Sequence, residues 1–423
     1  MLRAFPALSP HRRVLRWIGG TVVFQIIYVL VAVLGGSSRS FARHASASGD
    51  PSPDPRTAFD KKQEHVAYVG DQVCAECHQD KVAAYHRTAH AHTSSLPTGN
   101  SIAGKFDAGA NTLHTSNPDL VFEMEANDKG YFQTAKVRVS ESQILYRSER
   151  IDIVIGSGRK GQTYLFWDGD RLFELPVSYW TELGAWINSP SYPDGSASFE
   201  RPVLPRCLEC HASLFKSGGP LVNVFDKNSL SFGLSCEKCH GPGSEHVARF
   251  RAKTPPPSAQ SAIVNPARLS RDRQIDVCAL CHAGIGTSIT PPLSYLPGDV
   301  LEQHLVFPKI EPGAPIDVHA SQVQLLERSR CFQSSPSMTC STCHDVHTPQ
   351  RELEKYAVTC LSCHKIERCG LFASLGRKIE NQCITCHMPL QQTEQIAASL
   401  NGRTLQPKVR NHQIAIYPQI ALP

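Results

Sequence analysis

The first 47 residues contain no aspartate and no glutamate, although they contain six arginines. The whole chain of 423 residues carries 43 Lys and Arg against 38 Asp and Glu, a formal charge of +5. Without this leader, 37 basic side chains stand against 38 acidic ones, a balance of −1. The basic excess therefore belongs to the N-terminus, and a nucleic-acid partner is not expected because the remainder offers no net positive charge.

Cysteine is absent from residues 101–200, although the chain has 16 cysteines. The residues of this stretch alternate instead between apolar and polar. The alternation predicts strands over 120–125, 131–139 and 143–155, and a hairpin of 162–167 with 171–176 around Asp168-Gly169. We therefore expect a small β-rich insert between two cysteine-containing parts.

The cysteines that are present follow one pattern. Cys-x-x-Cys-His occurs seven times and uses 14 of the 16 cysteines. We number the copies as site 1 (Cys74, Cys77, His78), site 2 (Cys207, Cys210, His211), site 3 (Cys236, Cys239, His240), site 4 (Cys278, Cys281, His282), site 5 (Cys340, Cys343, His344), site 6 (Cys360, Cys363, His364) and site 7 (Cys383, Cys386, His387).

This spacing has a chemical reason. Two thiols three positions apart add to the two vinyl groups of one haem, and the adjacent histidine is then held beneath the iron as its proximal ligand. The alternative is structural zinc, but zinc ribbons do not require a histidine after every second cysteine. The pattern predicts seven covalently bound haem c groups, each with its iron.

The N-terminus is typical of an export segment. Arg12, Arg13 and Arg16 precede an apolar run over 17–36, as in a signal with a positively charged n-region. The run is longer than a typical cleavable signal, so two outcomes stay open: cleavage at Ala45-Ser-Ala47, or an uncleaved anchor in the inner membrane. Both predict an exported protein, periplasmic, anchored facing the periplasm, or extracellular, which agrees with haem attachment outside the bacterial cytoplasm.

Seven macrocycles would supply much of the apolar interior of a chain with only 8% aromatic residues. We therefore expect a mainly α fold of short helices and irregular loops around a stacked haem core, with the β-rich insert and little regular secondary structure. The expected segments are a signal or anchor (1–47), a flexible linker (48–66), a first haem unit (67–100), the insert (101–200), a haem-rich core with six motifs (201–395) and a tail (396–423).

Ten further histidines lie beyond the leader: His65, His86, His90, His92, His114, His246, His304, His319, His347 and His412. We predict that most are distal ligands of bis-histidine, low-spin haems, the alternative for any one being a surface role. His347 lies three residues after His344 and His246 follows site 3 through Gly-Pro-Gly, so each would reach only a neighbouring iron. Met388 is expected to be structural, and Met338 and Met124 are weaker alternatives to histidine.

Two cysteines and one glycine motif remain. Cys331 and Cys369 lie outside the seven motifs, and in an oxidising compartment they predict a disulfide, with two separate thiols as the alternative. Gly156-Ser-Gly158-Arg-Lys-Gly161 matches G-x-G-x-x-G but leads into a β-like run rather than a helix. It therefore predicts a turn, whose Arg159 and Lys160 could pair with haem propionates, and not a dinucleotide site.

Residues 68–420 resemble a known group through several motifs: Tyr68-Val-Gly70 before site 1, Thr88-Ala-His90 after it, His240-Gly-Pro-Gly-Ser-Glu-His246, Ser329-Arg-Cys331 before site 5, His344-Asp-Val-His347, and Cys386-His387-Met-Pro389. The chain is similar to multihaem c-type cytochromes related to the tetrahaem cytochrome of hydroxylamine oxidation. That resemblance implies His90, His246, His347 and His412 as distal ligands. With His114, His304 and His319 they form the predicted distal set.

The motifs are specific for haem attachment and not for a substrate. No Cys-x-x-Cys-Lys is present, so membership in the related ammonia-forming nitrite reductases is not expected. We predict electron transfer between other redox proteins, acting as donor and acceptor, rather than catalysis. One alternative is an oxidoreductase in which one five-coordinate haem acts on a small nitrogen or sulfur compound. Another is a structural component of an extracellular filament.

Overall fold

The computed structural model describes residues 67–252, 262–400 and 402–418. The predicted export segment (1–47) and linker (48–66) lie outside these ranges. Within them, none of the helices has both the length and the apolar content that crossing a bilayer requires.

The helices are short, and they carry most of the attachment motifs. Four of them end at the motif histidine itself: His211, His240, His282 and His387. Residues i, i+3 and i+4 share one face of a helix, so one helical turn presents both thiols and the imidazole to the same haem. The α-helices of the described ranges are α1 (Asp71–Tyr85), α2 (Pro205–His211), α3 (Glu237–His240), α4 (Ser244–Arg251), α5 (Arg271–His282), α6 (Gln322–Glu327), α7 (Arg330–Ser334), α8 (Leu353–Leu361), α9 (Phe372–Leu375) and α10 (Cys383–His387).

Two antiparallel sheets occupy most of residues 94–202. The smaller has the order β2-β3-β4-β5, and the larger has β1-β6-β7-β8-β11 with β9 also paired to β7 and β10 to β9. Their strands are β1 (Ser94–Ser95), β2 (Thr112–His114), β3 (Leu120–Asn127), β4 (Gly130–Ser140), β5 (Gln143–Arg150), β6 (Ile153–Ile155), β7 (Gly161–Asp168), β8 (Arg171–Glu174), β9 (Val177–Trp180), β10 (Ala185–Asn188) and β11 (Arg201–Pro202).

Side chains of both sheets share one hydrophobic core. Phe122 and Met124 of β3 pack with Tyr164 of β7 and Trp186 of β10, all buried. Alternating residues of a strand point to one face, so the apolar alternation seen in the sequence supplies this core. The hairpin around Asp168-Gly169 forms as predicted, with Asp168 paired to Arg171. Met124 is fully buried in this core.

The predicted mainly α fold is wrong. Strands account for 26% of the structure and helices for 27%. Irregular loops are present, but hairpins also form among and after the motifs, because one helical turn suffices for each motif and the chain between motifs is free to pair with itself. These strands are β12 (Ala212–Ser217), β13 (Phe225–Phe232), β14 (Thr287–Ser288), β15 (Leu305–Val306), β16 (Leu390–Gln392), β17 (Ala398–Leu400), β18 (Arg403–Leu405) and β19 (Lys408–Arg410).

The glycine motif at 156–161 forms a turn between β6 and β7. Gly156 has φ of +100°, and a Cβ there would lie 2.8 Å from the carbonyl oxygen of Gly161. The turn leads into a strand and opens no helix, so it lacks the helix N-terminus that binds a dinucleotide pyrophosphate. Its residues, Arg159 included, line the cavity described next.

Candidate haem-binding sites

All seven motifs converge on one large cavity. Its volume is about 3360 Å³, and the cysteines and histidine of every site line its wall. Ordinary ligand pockets measure about 300–1,000 Å³, so this space fits several large apolar groups rather than one small molecule. The 14 motif thiols are all unpaired and therefore available for thioether bonds.

Four motif histidines face a second histidine ring. The ring centres are 6.4 Å apart in His78–His246, 6.2 Å in His282–His90, 6.0 Å in His240–His347 and 6.3 Å in His344–His412. Two imidazole–metal bonds of about 2 Å, plus the distance from each nitrogen to its ring centre, account for roughly 6 Å. The spacing in all four pairs therefore fits one iron held between two imidazoles.

The four pairs differ in how their rings are turned. The planes lie 19° apart at site 1 and 27° apart at sites 3 and 5, so these rings are nearly parallel. At site 4 the planes of His90 and His282 are 84° apart. Site 4 is thus the one paired site of the described ranges with nearly perpendicular rings.

Each second histidine comes from a segment that belongs to another site. His90 follows site 1 and faces site 4, His246 follows site 3 and faces site 1, and His347 follows site 5 and faces site 3. His412 comes from the tail and faces site 5. The pairs therefore bring together parts of the chain that are distant in sequence.

Burial favours the neutral form of three of these rings, which is the form that binds a metal. It lowers the pKa of His412 to about 4, and it also lowers the pKa of His90 and of His246. The neutral rings fit iron ligation, since protonated imidazole has no free nitrogen lone pair.

Site 2 has a looser partner. Burial lowers the pKa of His211, the Thr93 carbonyl that accepts from its Nδ1 at 3.3 Å opposes this, and the neighbouring His319 lowers the pKa further. His319 also lines the cavity. The two rings are neighbours but do not make the close contact of the other four pairs.

Sites 6 and 7 differ from the rest. Within the described ranges, no histidine ring is in contact with His364 or His387. His387 donates from Nδ1 to the carbonyl of Ala415 at 2.8 Å, which fixes its ring. Met388 and Met338 line the cavity, but so do many other side chains.

The remaining histidines make other contacts. His114 lies exposed on β2, outside the cavity, and His304 is hydrogen-bonded to Ser294 Oγ at 3.1 Å, also outside it. His86 is bonded to Asp71 at 2.9 Å, and Nε2 of His92 is bonded to the carbonyl of His86 at 2.7 Å. The structure therefore does not bring His114 or His304 of the predicted distal set to a motif histidine. His65 lies outside the described residues.

Two carboxylates that sequence reasoning did not single out hold sites 1 and 3 together. Glu237, inside the site 3 motif, is buried and accepts from the backbone amides of Val69, Gly70 and Gly243 at 2.7–3.1 Å. Asp71 at the start of α1 accepts from the amide of Cys236 at 2.9 Å. An acidic residue between motif cysteines was the available signal, because a charged group there must find partners once it is buried.

Contacts between motif thiols give the order of the sites. Side-chain contacts join Cys74 to Cys236, Cys278 to Cys340, and Cys210 to Cys281. The thiol of Cys239 also interacts electrostatically with that of Cys278, and the thiol of Cys360 does so with those of Cys343 and Cys383. The sites therefore follow the order 1-3-4-5-6-7, with site 2 as a branch beside site 4.

A charged cluster marks that branch. Arg206 and Glu209 form an ion pair at 3.3 Å, and Glu209 also accepts from the amide of Leu293 at 2.8 Å. Burial lowers the pKa of Lys238, whose ammonium lies near thiols of sites 2, 3 and 4. This cluster fixes the backbone where three sites meet.

The predicted disulfide is absent. Cys331 and Cys369 are both free thiols. Cys331 lies beside the thiols of Cys343 and Cys360, whereas Cys369 lies beside those of Cys383 and Cys386. The two spare thiols therefore lie near motif cysteines of different sites.

Two comparisons with known proteins found a similarity. The family model for cytochrome c554 and c-prime matches residues 193–241, the segment that carries sites 2 and 3. The crystal structure of the outer cell wall cytochrome OcwA is similar in fold, with a TM-score of 0.51 and 18% sequence identity over 82% of this chain and 79% of that chain. The comparison with curated proteins gave no match.

Both findings support a multihaem c-type cytochrome. A cytochrome of this type holds haem c covalently and takes part in electron transfer in general. In this chain the residues that fit haems are the seven sets of two cysteines and a histidine. The facing histidines fit the second axial positions.

Proposed function

We propose that the protein is an exported heptahaem cytochrome that transfers single electrons between redox partners. The observation that carries this proposal is the set of four histidine pairs at 6.0–6.4 Å, each formed by a motif histidine and a ring from another segment. Haem iron bound there supplies a one-electron carrier that needs no open coordination position.

The proposed ligand assignment follows the ring contacts. His246 serves site 1, His347 site 3, His90 site 4 and His412 site 5, and His319 serves site 2 from its neighbouring position. His114 and His304 are then not ligands, since each lies outside the cavity. Cross-ligation of this kind holds neighbouring haems at short separations, which electron transfer requires.

The order of the sites supports a chain of haems along which electrons pass, with the haem of site 2 as a side branch. Electrons would enter and leave at its two ends, site 1 and site 7, through contact with other redox proteins. Export is favoured by the N-terminal segment and by haem attachment outside the cytoplasm, and the fold is shared with a cytochrome named for the outer cell wall. The resemblance to the group of the tetrahaem cytochrome of hydroxylamine oxidation also favours an electron carrier.

Haem content and axial ligation test the proposal together. Pyridine-haemochrome and iron analysis should return seven haems per chain, and His246→Ala should keep all seven while converting one low-spin ferric centre to high-spin or water ligation. His86→Ala is the matched control, because His86 bonds Asp71 and faces no motif histidine. Fewer than seven haems, zinc in place of iron, or an unchanged spectrum for His246→Ala would contradict the proposal.

A second function has its own observation. His364 and His387 have no facing histidine within the described ranges, so sites 6 and 7 fit an oxidoreductase in which an open haem binds a small nitrogen or sulfur compound. Cyanide added to the ferric protein should then convert a high-spin signal to low-spin at one or both sites. Met388→Ala is the control, since a methionine ligand would give a low-spin signal that this variant loses. A ferric spectrum without any high-spin signal in either protein would rule this function out.

A further inference from the structure

The four paired sites have the same two axial ligands, so ligand identity does not distinguish their reduction potentials. Their next partners do. An imidazole whose Nδ1–H donates to an acceptor becomes a stronger electron donor to the metal, and that favours the ferric state. The acceptors around each pair therefore bear on the direction in which electrons move.

At site 3 one imidazole donates to a carbonyl and the other lies beside a carboxylate. His240 Nδ1 donates to the carbonyl of Val264 at 2.8 Å. His347 Nδ1 lies 3.5 Å from Oδ1 of Asp345. The amide of His347 (3.0 Å) and the hydroxyl of Thr348 (3.1 Å) both donate to that carboxylate, and they hold it in place beside the ring. The side chains of His347 and Asp345 are 39% and 47% exposed, so solvent screens this charge in part, but a negative charge beside the ring still favours the more positive ferric centre.

Site 1 has no such partners. Nδ1 of His246 is buried and makes no hydrogen bond, and its ring packs against Phe250 with 4.7 Å between ring centres. The ring of His78 likewise has no hydrogen-bond acceptor within the described ranges. Neither imidazole of this pair gains the extra donor strength that the site 3 imidazoles have.

The other charged side chains near sites 1 and 3 lie close to more than one site, so they do not distinguish the two. The carboxylate of Asp71 interacts electrostatically with the thiols of both Cys74 and Cys236, which are in contact. Glu237 is bonded to three backbone amides next to the same contact. Lys238 lies among thiols of three sites. Asp345 is the charge that lies against one axial ring of site 3.

We propose that Asp345, through His347, sets the reduction potential of site 3 below that of its neighbour, site 1. Asp345 is thus a positioning and potential-setting residue rather than a ligand. The difference favours electron movement from site 3 towards site 1, so site 1 is the end from which electrons leave. This inference rests on the proposed function, since it requires haems at both sites with the histidine pairs as axial ligands.

The test is a redox titration of the intact holoprotein followed by electron paramagnetic resonance. His246→Ala and His347→Ala first identify the low-spin signals of sites 1 and 3, because each variant removes one of them. In the wild-type protein, the site 1 signal should disappear at a higher potential than the site 3 signal. Asp345→Asn should change the reduction equilibrium of site 3 about tenfold, which is 59 mV for one electron, towards the ferrous state and leave site 1 in place.

Asp226→Asn is the matched control. Asp226 also accepts the amide two residues ahead, at 3.0 Å, but it is exposed on β13 and lies outside the cavity. It should move no potential. Loss of haem or of the low-spin signals in the wild type would reject the proposed function. Intact signals with site 3 at or above site 1, or with site 3 unmoved in Asp345→Asn, would overturn the inference and leave the proposed function standing.

Discussion

Among the histidines that face a motif histidine, His90 differs most from the others in the orientation of its ring. The other second histidines lie within 27° of parallel with their partners, whereas His90 and His282 are 84° apart. His90 lies in a short 3-10 turn, His90–His92, that follows α1, and its carbonyl accepts a hydrogen bond from the amide of Leu234 at 3.0 Å. The turn that delivers this ring therefore fixes its orientation.

Ring orientation has a spectroscopic consequence. Perpendicular imidazole planes bring two iron d orbitals close in energy, which makes the g-tensor of a low-spin ferric haem strongly anisotropic. We expect one such signal, from site 4, beside rhombic signals from sites 1, 3 and 5. His90→Ala should remove the anisotropic signal alone. His92→Ala, two residues further along the same turn, should keep it, because the ring of His92 bonds the carbonyl of His86. A wild-type spectrum with only rhombic low-spin signals would contradict the assignment.

At the scale of elements, Gly233 at the end of β13 allows the His90 turn to come close. Gly233 has φ of +68°, and a Cβ there would lie 2.2 Å from the carbonyl oxygen of Ala91. Its amide also donates to Ser94 Oγ at 3.0 Å. The end of β13 and the 3-10 turn thus pack backbone against backbone.

Gly233→Ala should displace this turn and with it His90. The left-handed backbone costs about 1–2 kcal/mol for a residue with a Cβ, and the contact with Ala91 adds to that cost. We expect a lower thermal midpoint together with loss of the anisotropic site 4 signal. Gly169→Ala is the control, because Gly169 has φ of +61° but nothing within 4 Å of its Cβ position. Equal spectra for the two variants would show that Gly233 does not position His90.

Local patterns predicted some elements well and others poorly. The strands over 120–127 and 130–140 and the hairpin at Asp168-Gly169 follow from alternation and turn chemistry, which are local. The pairing of β16 with β19 joins residues about 18 positions apart, and no local pattern marks it. The attachment residues could be predicted from the sequence because covalent attachment of haem requires their spacing. The position of His319 near His211, and of His304 away from every motif histidine ring contact of the described ranges, could not be predicted, because it depends on where distant loops meet.

At the scale of the whole molecule, the described residues form two kinds of interior: a core of packed side chains and a large cavity. The sheets of residues 94–202 bury their own core of aliphatic and aromatic side chains. The remainder surrounds a cavity of about 3360 Å³ and has smaller buried clusters, such as the one around Leu301 and Leu305. Under the proposed function, the haems are the apolar groups that would complete this second part, and their attachment would then be part of its folding free energy.

This division predicts what remains when haem is withheld. A chain produced without haem attachment should keep the sheets, because their core needs no cofactor, and should lose the fold of the motif-bearing part, because a cavity of this size cannot stay open without its contents. Limited proteolysis should then leave a protected fragment close to residues 94–202, with strand signal in circular dichroism and little helix. The holoprotein under the same conditions is the control, and its motif-bearing part should resist cleavage as well. If the haem-free chain protects both parts equally, the motif-bearing part has a sufficient core of its own, and the haems only fill a space that the protein already maintains.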